Sequence, residues 1–142
     1  MKNLLFLFVF VSCGLGFAQS GAKIEFMAKD NTIDYGTVNS DSDGLRTFTF
    51  KNTGDAPLII TNVQSTCGCT VPTKPTKPIL PGETGKIDVR YNMKAGTIRK
   101  SITVESNAVN YEGGYVKLTI KGEVVAKKLE SPLEKKRTMM QQ

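Results

Sequence analysis

Short runs of alternating apolar and polar residues recur along the chain and predict β-strands. In the clearest run, Arg46 to Lys51, Phe48 and Phe50 fall on one face, and threonines and charged residues fall on the other. Seven or eight such runs are separated by turn signals about every 8–12 residues, and no helical period interrupts them. The pattern predicts an all-β fold, an antiparallel β-sandwich of about seven strands.

The apolar positions of these runs are numerous enough for one hydrophobic core. The side chains predicted to point inward are Phe26, Tyr35, Phe48, Phe50, Ile60, Val63, Ile87, Val89, Tyr91, Ile102, Val104, Leu118 and Ile120. A domain of about 100 residues buries roughly 60–70% of the surface that its unfolded chain exposes. We therefore expect this domain to fold without help from a disulfide.

The beginning and the end of the chain differ from this pattern. Lys2, the apolar run Leu4 to Val11 and the small residues around Phe17 predict a secretory signal peptide over residues 1–18. The sandwich domain is then expected over residues 19–126. Residues 127–142 form a basic tail whose only helix signal, at residues 131–134, is too short to predict a stable helix in isolation.

A signal peptide predicts export, to the periplasm, the cell surface or the extracellular space. Cys13 leaves a second route open, because a cysteine after Val11-Ser12 loosely resembles a lipoprotein processing site. In that case the protein would carry a lipid anchor at Cys13. No other segment is apolar and long enough to span a bilayer, so we expect no transmembrane segment after signal removal.

Composition excludes several classes of chemistry. The 142 residues contain no histidine, which removes Ser-His and Cys-His catalysis and the usual imidazole metal sites. The formal net charge of +6 is partly a property of the tail, and no basic face with interleaved aromatic residues indicates nucleic-acid binding. We predict a protein that is not an enzyme, with no catalytic residues, no cofactor and no dedicated metal site.

The candidate functional motif is Cys67-Gly68-Cys69-Thr70, which lies between two predicted strands. In an oxidising compartment the resting state of the two cysteines is expected to be a disulfide. Such a bridge closes a very small ring, for which Gly68 would supply backbone freedom. Three roles follow: a structural corner, a thiol–disulfide redox pair, or a copper(I) site in which Met27 or Met93 adds a soft sulfur.

After the cysteines, three prolines punctuate the segment from Val71 to Pro78 and favour an extended edge over a central strand. Lys74, Pro75, Lys77 and Pro78 are the candidate contact residues of a loop that we take from Thr66 to Pro78. The carboxylates Asp41, Asp43 and Asp55 lie in predicted turns without the spacing of an EF-hand.

Several of these motifs together resemble a known family. They are Phe48-x-Phe50-Lys51-Asn52-Thr53-Gly54-Asp55-Ala56-Pro57-Leu58, Cys67-Gly68-Cys69-Thr70, Pro81-Gly82-Glu83, Tyr91, and Ser106-Asn107 before a last strand through Gly122. From about Ile33 to Val125 the chain is similar to the bacterial family called domain of unknown function 1573. The resemblance implies an immunoglobulin-type sandwich related to major sperm protein and ASH domains, export to the cell envelope and no known enzyme activity.

The sequence thus predicts a non-catalytic secreted envelope protein that binds a protein partner, as related sandwiches generally act in adhesion or assembly. The alternative is a thiol–disulfide or copper(I)-binding protein that uses Cys67 and Cys69.

Overall fold

The computed structural model describes residues 20–127, which form two four-stranded β-sheets. The strands are β1 (Ile24–Phe26), β2 (Thr32–Asn39), β3 (Leu45–Asn52), β4 (Ile60–Ser65), β5 (Thr70–Thr73), β6 (Thr84–Tyr91), β7 (Gly96–Ser106) and β8 (Tyr115–Val125). Single 3-10 turns at Lys29–Asn31 and Glu112–Gly114 precede β2 and β8. The signal peptide, Cys13 and the tail beyond Lys127 lie outside the described residues.

The first sheet has the order β1-β3-β6-β5 and the second has the order β2-β8-β7-β4. Every pairing is antiparallel except that of β2 with β8, which is parallel. The all-β sandwich prediction is confirmed, with eight strands where about seven were expected. The parallel pair departs from the expected antiparallel arrangement, because alternation specifies which face a residue occupies and not the direction of a neighbouring strand.

The core fills the space between the sheets and follows the period of two. In β6, Ile87 and Val89 are fully buried while Lys86 and Asp88 are exposed. All of the predicted inward residues are buried except Val63, which is partly buried against the core. The core also contains residues outside that prediction, namely Ala22, Ile24, Leu58, Ile79, Met93, Ile98, Ala108, Val116 and Val124.

One end of the sandwich gathers the features that matter for the candidate site. It contains the loop Ser40–Gly44, the turn Cys67–Cys69 and the connection from Asn92 to Ala95 between β6 and β7. Lys127 joins it, since its backbone N–H donates to Ser40 Oγ and its ammonium lies 2.7 Å from Asp41 Oδ2. We call this the cystine end, and we call the opposite end, around Asn52 and Gly54, the Asn52 end.

Within residues 20–127 no helix is long and apolar enough to cross a membrane.

Candidate functional site

The cysteine motif forms the corner at which the chain passes from one sheet to the other. β4 is the last strand of the second sheet, and Thr66 N–H extends its ladder by donating to Ser101 O at 3.2 Å. β5 is the last strand of the first sheet, where Asn92 N–H donates to Cys69 O at 3.0 Å. The corner is therefore held to both sheets by backbone hydrogen bonds on either side of Gly68.

Cys67 and Cys69 form a disulfide, with 5.4 Å between their Cα atoms. Both cysteines are partly buried, and Cys69 packs against the core, whereas Gly68 between them is exposed. Gly68 was expected to supply the backbone freedom that closes the small ring, and the structure shows no conformation there that requires glycine. Gly68 does not lie in the left-handed backbone region, and a Cβ added to it would meet no atom within 4 Å.

Thr70 is the buried polar residue of the motif. Its side chain is 2% exposed, while the next residue, Val71, is 59% exposed. Thr70 Oγ1 lies 3.9 Å from Cys67 Sγ and 4.0 Å from Cys69 Sγ, at the long end of the range for hydrogen bonds to sulfur. Among residues 20–127 the hydroxyl has no other side-chain or backbone partner. Sequence reasoning grouped Thr70 with the cysteines but missed its burial.

An open groove of about 490 Å³ runs beside the corner at the cystine end. Its walls come from the loop Ser40–Gly44, from Gly68, Cys69 and Val71, and from Arg90, Tyr91, Asn92 and Met93. The charged groups are paired at its rim, Arg90 with Asp43 at 3.5 Å and Lys127 with Asp41 at 2.7 Å. The Lys127 ammonium holds the pKa of Asp41 below its usual value, and Asp41 in turn raises the pKa of Lys127.

The proline-rich segment leaves the cystine end and runs along the free edge of the first sheet. Lys74, Lys77 and Pro78 are exposed and Pro75 is partly buried. After them the chain rejoins the core where Ile79 pairs with Leu58 near the Asn52 end. The cysteine motif and the candidate contact residues thus lie on one side of the sandwich, but they are spread along its length and do not form a single cluster.

Register shows which backbone groups that edge exposes. Because Asn92 bonds to Cys69, alternation directs the backbone groups of Val71 and Thr73 toward β6 and those of Thr70 and Pro72 outward. Thr70 N–H is taken by Cys67 O at 3.4 Å, and Pro72 has no N–H. The β5 edge therefore offers carbonyl acceptors and no free donor.

The edge of β4 on the same side is more open. Since Thr66 bonds to Ser101, the outward backbone groups are those of Val63 and Ser65. The Lys74 ammonium covers the first part of this edge by donating to Ile60 O at 3.4 Å.

Metal ligands are sparse around the corner. Residues 20–127 contain no group of three or more His, Cys, Asp or Glu side chains that could hold an ion. Met93 is 6% exposed and lines the same groove as Cys69, whereas Met27 follows β1 and donates to Thr49, in the other half of the first sheet. The turn carboxylates serve local structure. Asp55, for example, accepts from Gly21 N–H at 2.6 Å and from the Ser20 hydroxyl at 3.1 Å, and these bonds lower its pKa.

The fold is similar to solved structures with low sequence identity. A protein of unknown function from Porphyromonas gingivalis W83 is 17% identical with a TM-score of 0.62, over 73% of this chain and 47% of that chain. This chain therefore spans less than half the length of the Porphyromonas protein. The ASH/PapD-like domain 7 of human CEP192 is 10% identical with a TM-score of 0.58, over 75% and 87% of the two chains.

A Caenorhabditis elegans MSP-domain protein, SSP-19, is 8% identical with a TM-score of 0.49, over 71% of this chain and 98% of that one. No curated protein matches this chain by sequence. A family model described as "Protein of unknown function (DUF1573)" matches residues 26–124. The chain shares its fold with the ASH/PapD-like domain, and it belongs to the DUF1573 family.

Proposed function

We propose that the protein is a non-catalytic binding module of the bacterial cell envelope, which contacts a protein partner through the side of the sandwich formed by β4, β5 and the segment Thr66–Pro78. The observation that carries the proposal is that, within residues 20–127, both sheets end on this side in strands that pair with no further strand. Strand edges bind extended peptides in many β-sandwich complexes.

Side chains on the same side support this proposal. Val71 is 59% exposed, and Ile59 and Leu80, which flank the two edges toward the Asn52 end, are 45% and 50% exposed. Lys74 and Lys77 add positive charge along the segment. Since β5 offers no free N–H, a strand from the partner would pair with β4, at Val63 and Ser65, and contact β5 through side chains.

Site-specific photo-crosslinking tests this surface. A benzophenone amino acid is placed at Val71 or at Lys77, and matched probes are placed at Lys86 and Lys117, which are exposed on the outer faces of the two sheets. In intact producing cells we expect one protein adduct from the first pair of positions and none from the second. Adducts of equal yield from all four positions, or from the sheet faces alone, would show that the surface is wrong.

We also propose export, with maturation after Ala18 and the lipidated form at Cys13 as the alternative. Intact-mass analysis of the protein recovered from the cell envelope distinguishes them. A mass that begins at Gln19 supports signal cleavage, an added diacylglycerol on Cys13 supports the anchor, and an unprocessed Met1 chain contradicts both.

A second function is favoured by the partly exposed disulfide at the corner, namely thiol–disulfide exchange or copper(I) binding by Cys67 and Cys69. Among residues 20–127, Met93 is the methionine that lines the same groove as Cys69, so it is the candidate third sulfur ligand. Reduced protein dialysed against a copper(I) complex should retain one copper per chain if the metal function holds, and the Cys67→Ser/Cys69→Ser variant should retain none. Equal copper in both proteins would contradict it.

A further inference from the structure

Thr70 occupies a position that ordinary sheet packing does not explain. In a half-buried strand the apolar side chains face the core and the polar ones face water. At the start of β5 the order is reversed, since the Thr70 side chain is 2% exposed and the Val71 side chain is 59% exposed, whereas Pro72 is partly buried and Thr73 is exposed. The register of β5 thus places Thr70 and Pro72 toward the core, and it buries a hydroxyl beside the cysteines while the neighbouring valine stays outside.

The contacts of that hydroxyl point to the cysteine sulfurs. A buried hydroxyl that lacks a good acceptor is destabilising, because it has lost its hydrogen bonds to water. Thr70 Oγ1 lies 3.9 Å and 4.0 Å from the two sulfurs, its only partners among the residues described here. Cysteine sulfur is a weak acceptor, whereas hydrogen bonds to an ionised group are shorter and about twice as strong. The hydroxyl is therefore better satisfied after the disulfide has been reduced to a thiolate.

Two further features suit the pair to reduction. The disulfide is partly exposed at the corner, and exposed bridges are more readily reduced than buried ones. A reductant can approach over exposed Gly68 and through the groove that Cys69 lines. Arg90, Asp41 and Asp43 line the same groove, and their charges are balanced in the pairs Arg90–Asp43 and Lys127–Asp41, so the Thr70 hydroxyl is the group that the structure places on the sulfurs.

We propose that Cys67–Cys69 is a redox-active disulfide that accepts two electrons from a dithiol, and that Thr70 is the positioning residue whose hydroxyl stabilises the thiolate formed. The proposal rests on the thiol–disulfide function proposed above. One thiolate of the dithiol attacks a cysteine sulfur, the S–S bond breaks, and its electron pair remains on the other cysteine as a thiolate that accepts from Thr70 O–H. The second thiol of the reductant then attacks the mixed disulfide. The reductant leaves as a disulfide, having lost two electrons and two protons, and Cys67 and Cys69 become thiols.

The experiment measures the redox equilibrium and the thiolate titration. Purified protein is equilibrated with mixtures of reduced and oxidised dithiothreitol, then acid-quenched, alkylated and weighed by mass spectrometry. The rate of alkylation of the reduced protein is measured across pH. The variants are Thr70→Val, which keeps the shape and removes the hydroxyl, Thr70→Ser, which keeps the hydroxyl, and Thr73→Val, an exposed control in the same strand.

A hydrogen bond to an ionised group corresponds to a change of roughly tenfold or more in an equilibrium constant. Thr70→Val should therefore need a reduced-to-oxidised dithiothreitol ratio about tenfold higher for half reduction, and its alkylation profile should move to higher pH. Thr70→Ser and Thr73→Val should stay within about threefold of the parent protein. A residue that acted only through packing would not shift the pH dependence of the alkylation rate.

Two results would overturn the proposal, and they can be told apart. If the parent disulfide is reduced but Thr70→Val leaves both the ratio and the pH profile unchanged, the role of Thr70 is wrong while the redox function stands. If excess dithiothreitol leaves the folded parent protein oxidised, both are wrong. Circular dichroism establishes that each variant is folded, and if Thr70→Val is not, Thr70→Ala is compared with Thr70→Ser in its place.

Discussion

Asn52 shows how one buried polar residue can hold an end of the sandwich together. Its side chain is fully buried and makes four hydrogen bonds to backbone groups. Oδ1 accepts from Lys23 N–H and Gly54 N–H at 3.3 and 3.0 Å, and Nδ2 donates to Ala56 O and Ile79 O at 2.8 and 2.9 Å. The Asn-Thr-Gly turn is therefore tied to the chain that enters β1 and to the chain that precedes β6.

We predict that Asn52→Leu lowers the free energy of unfolding by about 2–4 kcal/mol, because an apolar side chain of similar size leaves buried backbone groups without partners. Urea unfolding followed by circular dichroism measures the change. Asn39→Ala at the exposed end of β2 is the control and should change stability by less than about 0.5 kcal/mol. A loss at Asn52 no larger than the loss at Asn39 would contradict this role.

Gly54 and Gly68 belong to the two most recognisable motifs, yet the structure predicts opposite effects of adding a side chain at the two positions. A Cβ at Gly54 would overlap the carbonyl oxygen of Gly21 and the backbone of Lys23, whereas a Cβ at Gly68 would meet open space. We predict that Gly54→Ala costs about 1–3 kcal/mol of stability, as overpacking does, and that Gly68→Ala changes stability by less than about 0.5 kcal/mol.

Urea unfolding of the two variants, with non-reducing mass analysis of Gly68→Ala, checks this pair of expectations. The disulfide should form in Gly68→Ala as it does in the parent protein. If Gly68→Ala is the more destabilised of the two, or leaves Cys67 and Cys69 unpaired, then the corner depends on glycine in a way that the structure does not show.

At the scale of elements, the two free edges on one side differ in how far they resist pairing with another chain. β5 carries Pro72 at an outward position, where a proline removes the donor that an added strand would use. β4 is covered at its start by the Lys74 ammonium and is open at Val63 and Ser65. Edge protection is therefore partial, since β5 resists pairing while β4 can pair at Val63 and Ser65, as the proposed binding surface requires.

We predict that Pro72→Thr increases self-association, because it restores an N–H to the free edge of β5. Sedimentation velocity at rising protein concentration should show a larger dimer fraction than the parent protein shows. Pro75→Thr, outside the strand, is the matched control and should sediment as the parent does. Identical sedimentation of Pro72→Thr and Pro75→Thr would mean that Pro72 does not protect the edge.

The elements also show what the sequence could and could not predict. The sequence correctly predicted the burial of Phe48, Phe50, Ile87 and Val89. One face of each strand packs on the core and the other faces solvent, so the alternation of apolar and polar residues identifies the buried face. Pairing partners depend on contacts between distant segments, such as Thr32 with Thr119, so the parallel β2–β8 pair left no local signal. The chain supplies threonines on both faces, so the burial of Thr70 follows from the register of β5 alone.

At the scale of the whole molecule, no charged side chain of residues 20–127 is buried, and most of the groups with displaced pKa values are carboxylates. A hydrogen bond from Gly36 N–H lowers the pKa of Asp34, and one from Gly21 N–H lowers the pKa of Asp55. The Lys127 ammonium lowers the pKa of Asp41. Lowered carboxylate pKa values contribute stability above the ordinary value of 3.8, and this stability is lost as pH falls through the folded-state values. The chain has no histidine to add a transition near neutral pH.

We predict that the melting temperature is nearly constant from about pH 5 to 8 and falls below about pH 4, since the carboxylates then take up protons that the folded state disfavours. Thermal unfolding by circular dichroism over a series of buffers at fixed ionic strength measures the profile.

Asp55→Asn keeps an oxygen that can accept from Gly21 N–H but does not titrate, so its melting temperature should fall less steeply below pH 4 than that of the parent. Asp30→Asn removes an exposed carboxylate from the first 3-10 turn and should leave the slope unchanged. A steep change between pH 5 and 8, or equal acid slopes in the parent and Asp55→Asn, would mean that the acid sensitivity of the fold arises elsewhere than at the bonds that Asp55 makes to the start of the domain.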